Sequence, residues 1–127
     1  MKLHHSGFIV ADIAKYERNM IFANKIKEVI DPVQNAKLAL YTNFSDSYIE
    51  LIEPLNAEAF TYNALQQKGN HFHHYCYQID SVEEMNIIAK ANNLLNIKGP
   101  LNAILFDDAL VYFFYSRNKN IVEFVIL

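Results

Sequence analysis

Leu3-His4-His5-Ser6-Gly7-Phe8-Ile9-Val10-Ala11-Asp12-Ile13 returns later in the chain as Phe72-His73-His74-Tyr75-Cys76-Tyr77-Gln78-Ile79-Asp80-Ser81-Val82, at an offset of 69 from His5 to His74. A second pair follows. Tyr48-Ile49-Glu50-Leu51-Ile52 matches Ile121-Val122-Glu123-Phe124-Val125, at an offset of 73 from Glu50 to Glu123. Each half therefore opens on a His-bearing strand and closes on a Glu-bearing strand. Repeated units share a fold and stack on one another. A pseudo-two-fold axis between them would bring two histidines and two glutamates together, a donor set that suits one divalent ion.

The segments between these anchors fill in the plan. Residues 3–10 alternate as a strand. Asp12 is placed to cap a helix running to about Ala23, with Ile13, Tyr16, Met20 and Ile21 on its apolar side. Asp31-Pro32-Val33-Gln34 reads as a loop, because the residue before proline avoids the helical region. Lys37 to Thr42 and Ser47 to Glu53 read as strands joined by the turn Asn43-Phe44-Ser45-Asp46, with room for a short strand near Lys27–Ile30.

Pro54 ends the first half. Residues 57–68 read as a linking helix stopped by Gly69-Asn70 in a left-handed cap. Strand 71–79 opens the second half, and Ser81-Val82-Glu83-Glu84 is a capping box for a helix to about Asn92. Gly99-Pro100 reads as a break, with strands near 103–106, 109–116 and 120–126 after it. The expectation is an α+β fold of paired βαβββ modules, forming a curved mixed sheet around a metal-binding cleft. Residues 1–127 make a single domain in this reading: module 1 about 1–54, the linking helix about 55–69 and module 2 about 70–127. Neither module has enough strands to bury its own sheet.

Side chains two apart on a strand share a face. His5 then faces with Gly7 and Ile9, and His74 with Cys76 and Gln78. Gly7 and Cys76 are small, which would leave space beside a bound ion. A lone strand histidine is more often a satisfied polar residue than a ligand, and a lone glutamate more often faces water. Recurrence at matched places in two halves singles out His5, Glu50, His74 and Glu123. By parity His4, His71 and His73 fall on the opposite face, and they read as polar residues or as residues that support the ligand histidines from behind. Glu53 has Ile126 as its repeat partner and reads as exposed surface. Cys76 reads as a small wall residue, and Asp107-Asp108 as a polar turn.

Composition excludes several function classes. The 127 residues are 52% hydrophobic and 20% charged, with a net charge of −3 and both signs interspersed. That gives no electrostatic case for nucleic acid or an anionic membrane surface. No apolar run approaches the ~20 residues of a membrane span. The single cysteine fits a reducing cytoplasm. The expected partners are a small-molecule substrate and a second copy of the chain, as a homodimer.

These stretches, with Gln34-Asn35-Ala36-Lys37-Leu38-Ala39, Ile49-Glu50-Leu51-Ile52-Glu53-Pro54 and Val122-Glu123-Phe124, resemble the vicinal oxygen chelate (glyoxalase/bleomycin resistance) superfamily. The resemblance is closest to the branch containing methylmalonyl-CoA epimerase. It implies paired βαβββ modules around a divalent metal, with His5, Glu50, His74 and Glu123 on the ligand positions. Glutamine is common at the position of Glu50 in the epimerases, and glutamate there is more like the lactoylglutathione lyases. Some epimerases carry an acidic base where this chain has Leu38. In place of their glycine-rich basic run it has Leu101-Asn102-Ala103-Ile104-Leu105-Phe106-Asp107-Asp108-Ala109-Leu110.

The expected activity is a divalent-metal-dependent isomerase, epimerase or lyase acting on a small carbonyl compound, including an acyl thioester, through a metal-stabilised enolate. Zn²⁺, Ni²⁺, Co²⁺, Fe²⁺ or Mn²⁺ would suit the donors. Glu123, with Glu50 as the other candidate, would move the proton. The alternative is a non-catalytic small-molecule binding module. Ring-cleaving dioxygenases of this type use two histidines and one carboxylate, and the fourth donor here argues against that class.

Overall fold

The first histidine strand, β1 (Lys2–Ile9), lies at the centre of the molecule, beside the second histidine strand, β5 (His71–Ile79). The computed structural model describes residues 1–43 and 45–127; Phe44, in the expected turn after the third strand, lies outside them. After β1 come α1 (Ile13–Glu17), β2 (Asn24–Asp31), β3 (Ala36–Thr42), β4 (Tyr48–Pro54) and the linking helix α2 (Tyr62–Lys68). After β5 come α3 (Val82–Ala91), β6 (Leu95–Ala103), a single 3₁₀ turn (Ile104–Phe106), β7 (Ala109–Tyr115) and β8 (Ile121–Ile126).

The eight strands form one curled sheet in the order β2-β3-β4-β1-β5-β8-β7-β6. The order reads the same from either edge once each strand is replaced by its repeat partner. Within the modules β1 pairs parallel with β4 and β5 parallel with β8; across the seam β1 and β5 run antiparallel. The fold is therefore α+β, two βαβββ modules in a mixed sheet.

Period-two alternation decides which side chains go where. Phe8, Val10, Ile49 and Leu51 face α1, while Tyr77, Ile79, Val122 and Phe124 face α3. The inner face of the curl holds Ile9, Leu38, Leu40, Ile52, Cys76, Val111, Phe113 and Val125, with Leu105 and Phe106 of the 3₁₀ turn folded in among them. Seen from the four candidate residues, these are the inward positions.

Local chemistry explains most element starts. The Asp12 carboxylate accepts from Lys15 N at 3.1 Å, and the Ser81 hydroxyl accepts from Glu84 N at 3.1 Å. Glu84 in turn accepts from Asp80 N at 2.9 Å, one residue before the cap, which ties the helix start to the end of β5. Gly69 adopts φ +68°, a region that favours glycine.

Five local expectations are corrected, the first being the linking helix, which starts at Tyr62 and not at residue 57. α1 is five residues long and does not reach Ala23. Asn19 and Met20 close it with tight bonds to Tyr16 and Glu17 carbonyls, and Phe22 takes φ +59°. Ile21 is exposed, and Met20 still packs beneath the helix. Gly99-Pro100 does not end a strand. It is a cis pair inside edge strand β6, at a register shift between Lys98 and Leu101, where proline is tolerated. Residues 104–106 are consequently the 3₁₀ turn and not a strand. Glu53 is not bare surface: its carboxylate accepts from Ile13 N at 2.8 Å and so caps α1 from β4.

Candidate metal centre

Register places the four candidate residues with the symmetry of the repeat. Gly7 lies opposite Glu50 across β1–β4, and Cys76 lies opposite Glu123 across β5–β8. Across the seam His5 faces Cys76 and Gly7 faces His74. Each histidine therefore sits directly across from the small residue of the other module. At Gly7 this is obligatory, since a Cβ there would lie 2.3 Å from His74 Cε1. The space expected beside Gly7 is filled by the His74 ring.

The side chains converge on the inner face. His5 Nε2 is 3.1 Å from His74 Nε2. Glu123 Oε1 lies 2.9 Å from His74 Nε2 and 3.1 Å from His5 Nε2. Glu50 Oε1 is more distant, at 3.4 Å from His5 Nε2 and 3.5 Å from His74 Nε2. None of the four residues is more than 4% exposed. Glu123 Oε1 is buried and makes no hydrogen bond among the described residues, an orphaned acceptor of the kind that calls for explanation.

Two imidazole nitrogens and two carboxylate oxygens within 4.8 Å of one another suit a divalent cation. Ligands held about 2.0–2.2 Å from a shared zinc-sized ion are themselves about 3–3.5 Å apart. The five separations above, from 2.9 to 3.5 Å, fall in or just below that range. Electrostatics agree. Burial works against charge on His5, yet the carboxylates of Glu50 and Glu123 outweigh it and hold the imidazole pKa well above its usual value. Burial likewise opposes the Glu123 carboxylate, but His74 and His5 hold it well below the usual range. The cluster favours positive charge at its centre.

Strand parity misplaces His4 and His73, and the reason is specific. β1 gains one residue against β5 between Leu3 and His5, and β5 gains one against β1 between Gly7 and Phe8. The extra residues are His4 and His73, at the same offset as the main histidines. A β-bulge re-aims side chains locally. Here His4 Nδ1 meets His5 Nδ1 at 2.9 Å, and His73 Nδ1 meets His74 Nδ1 at 2.8 Å. Burial, then the charge of His5, lowers the His4 pKa to about 4; burial, then the charge of His74, lowers that of His73 to about 3. Both are neutral at pH 7 and can accept a hydrogen from the adjacent imidazole, leaving each Nε2 lone pair for the centre. The supporting role expected of His4 and His73 is therefore met, although the face that parity assigned them is not.

Cys76 is fully buried, and burial followed by the charge of Glu123 pushes its thiol far up, so it stays protonated. Asp107 and Asp108 form an exposed turn, both with positive φ, and Lys27 reaches Asp107 at 3.3 Å. His71 bonds the Gly69 carbonyl through Nδ1 at 2.8 Å and takes no part in the cluster.

Aromatic rings close the centre. Phe106 lies over His5, with ring centroids 5.2 Å apart, and Phe113 lies 5.8 Å from His74. Beyond Phe113 opens a cavity of about 610 Å³ beneath α2, lined on its other sides by module 2. His73 and Phe113 each line this cavity and contact His74. The repeat pattern carries no signal for it, because its walls come from α2 and one module only.

The fold and the sequence place this molecule in a known class. Residues 4–99 match the model of the Glyoxalase/Bleomycin resistance protein/Dioxygenase superfamily, and the chain belongs to it. That span contains His5, Glu50 and His74, while Glu123 lies beyond it. A hypothetical protein from Bacillus halodurans C-125 is 26% identical, with a TM-score of 0.86 over 99% of this chain and 94% of that one. Methylmalonyl-CoA epimerase from Mycobacterium tuberculosis is 17% identical, with a TM-score of 0.78 over 98% of this chain and 87% of that one. The Streptomyces coelicolor methylmalonyl-CoA epimerase, in complex with 2-nitronate-propionyl-CoA, is 16% identical, with a TM-score of 0.83 over 99% and 94%. At those identities the epimerases share its fold. No curated protein matches the chain in sequence. No helix among the described residues is long and apolar enough to cross a membrane.

Proposed function

We propose that this chain is a divalent-metal-dependent enzyme that moves a proton beside a carbonyl group, as an epimerase, isomerase or glyoxalase-like lyase does. The observation that carries the reading is the buried four-residue cluster with its orphaned Glu123 oxygen. His5, Glu50, His74 and Glu123 are the proposed ligands of Zn²⁺, Ni²⁺, Co²⁺, Fe²⁺ or Mn²⁺. Such an ion supplies a Lewis acid that draws electron density from a substrate carbonyl and acidifies the adjacent C–H.

The protein's own groups do the rest. His4 and His73 hold the two imidazoles in one tautomer and orientation. Phe106 and Phe113 keep water from the centre, which strengthens every charge interaction there. Glu123 is the proposed base. Its β7 neighbour is Phe113, a wall of the cavity, so Glu123 is on the side from which a substrate arrives. Glu50 is paired with Leu40, in the other module. The Glu123 carboxylate takes the proton from the carbon next to the carbonyl. It returns that proton to the same or a neighbouring carbon.

Elemental analysis of wild type and His74→Ala tests the centre: about one ion per chain is expected in the first and much less in the second. Equal metal in both would remove the ligand assignment. For the base, Glu123→Gln should keep much of the metal but lose exchange of a substrate α-proton with deuterated water, while Glu50→Gln keeps more activity. The opposite pattern makes Glu50 the base. Exchange with no chelating acid or thioester in metal-loaded wild type favours the binding-module reading.

A further inference from the structure

We propose that the cavity beneath α2 is the subsite for an anionic group of the substrate, a phosphate or carboxylate, held by Lys68, Lys98 and Lys119. The inference rests on the cluster being the reaction centre only in calling the bound molecule a substrate; the anion site itself stands on separate observations. The chain is acidic overall, at −3, yet three lysines line this cavity and no Asp or Glu does among the described residues. Elsewhere among the described residues Lys25, Lys27 and Lys37 each pair with a carboxylate, while Lys2, Lys15 and Lys90 do not; what sets the three cavity lysines apart is that they line one pocket together. Lys68, Lys98 and Lys119 have no carboxylate partner among the described residues.

Their placement is functional in form. Lys98 is half-buried, with its ammonium 4.3 Å from the centroid of the Phe60 ring, which fixes it at the cavity wall. Phe60 in turn packs on Phe113, with ring centroids 6.0 Å apart, and Phe113 touches His74. A continuous wall thus runs from the lysines to the cluster. At about 610 Å³ the cavity suits a small metabolite. A molecule whose oxyanion meets the lysines would set its other end against Phe113 and His73, the two cavity residues that contact His74. This selects phosphorylated or carboxylated aldehydes and ketones over neutral ones.

The test uses the full chain loaded with Zn²⁺ and four probes: inorganic phosphate, dihydroxyacetone phosphate, dihydroxyacetone and acetyl-CoA. Amide shifts and calorimetry report binding. Dihydroxyacetone phosphate should bind, shifting the Lys98, Phe113 and Lys119 amides, and neutral dihydroxyacetone should bind at least about tenfold more weakly. Added NaCl should weaken the anionic probe. K68A/K98A/K119A should lower its affinity on the order of a hundredfold or more, K68R/K98R/K119R should retain much of it, and Lys2→Ala should change nothing.

Preferred binding of acetyl-CoA with the same lysine dependence assigns the subsite to a nucleotide phosphate instead of a small one. Lysine-independent binding, or no binding of any anionic probe to wild type, overturns the proposal. His74→Ala separates the two readings. If it retains full metal, the centre fails and the lysine result stands; if it loses metal while anion binding ignores the lysines, the subsite alone fails.

Discussion

At the scale of the residue, the packing of the four-residue cluster depends on Gly7 as well as on its own side chains. Gly7 has no freedom to grow, because the His74 ring occupies the place of a Cβ. Gly7→Ala should therefore rotate or displace His74, costing about 1–3 kcal/mol as an overpacked site and lowering metal stoichiometry towards that of His74→Ala. Thermal unfolding and elemental analysis together check this; full metal in a folded Gly7→Ala would show that the ring can give way. His4 and His73 make a second prediction. Each bonds an Nδ1 of the cluster, so His4→Phe and His73→Phe should each weaken metal binding about 10–100-fold while leaving the four donors in place. Competition with a chromophoric chelator reads that change. Had strand parity been right about these two histidines, neither variant would alter it.

The elements show where alternation and capping rules suffice and where they stop. β5, α3 and β8 could be read almost to the residue from the sequence, because their alternation, Ser81-Glu84 cap and flanking polar residues agree with one another. The four cluster residues could be read too, from the repeat. The bulges at His4 and His73 could not, since one extra residue in a seam depends on the partner strand and leaves no trace in the strand's own pattern. The overlong α1 has a similar origin. Tyr16 and Met20 carry helical spacing, but the chain must turn back to edge strand β2, and a five-residue helix suffices to cover its part of the sheet.

What holds so short a helix is tertiary, and this is testable. Glu53 caps its start from β4, so Glu53→Ala should cost about 1 kcal/mol. At its end the Glu17 carboxylate accepts from the Tyr41 hydroxyl at 2.5 Å and pairs with Lys25 at 3.0 Å. The Tyr41 hydrogen bond, then that to Lys25, lowers the Glu17 pKa from its ordinary 4.5. A depressed folded-state carboxylate stabilises above the unfolded pKa, and that stability is lost as pH falls through the folded value. Wild type should thus exceed Glu17→Gln in stability near neutrality, by a small margin because the pair is solvent-screened. The margin should vanish in acid below the depressed pKa. Denaturant midpoints at several pH values would show it; a gap that persists or widens in acid would exclude the linkage.

For the whole molecule, the cluster is where two half-sheets are joined. His5 and Glu50 come from module 1, His74 and Glu123 from module 2, and the seam beside them is the antiparallel pairing of β1 with β5. Without an ion, two imidazoles and two carboxylates are buried together with one acceptor unbonded. Burying these four groups carries a desolvation cost that the His–Glu ion pairs meet only in part. An ion bound only to the folded state offsets the cost by RT ln(1 + [M]/Kd), about 2.7 kcal/mol at a free concentration one hundred times Kd. Chelation should therefore lower the unfolding temperature of wild type in one cooperative step, with both modules lost together, since neither has a second layer to bury its inner face alone. The pseudo-symmetry sharpens the expectation. His5→Ala and His74→Ala remove equivalent donors from opposite modules, so both should become insensitive to chelator and to added Zn²⁺ or Co²⁺. A metal-dependent shift surviving in one but not the other would mean that the ion is held by one module, and that the symmetry of the donors is inherited from the repeat without being used.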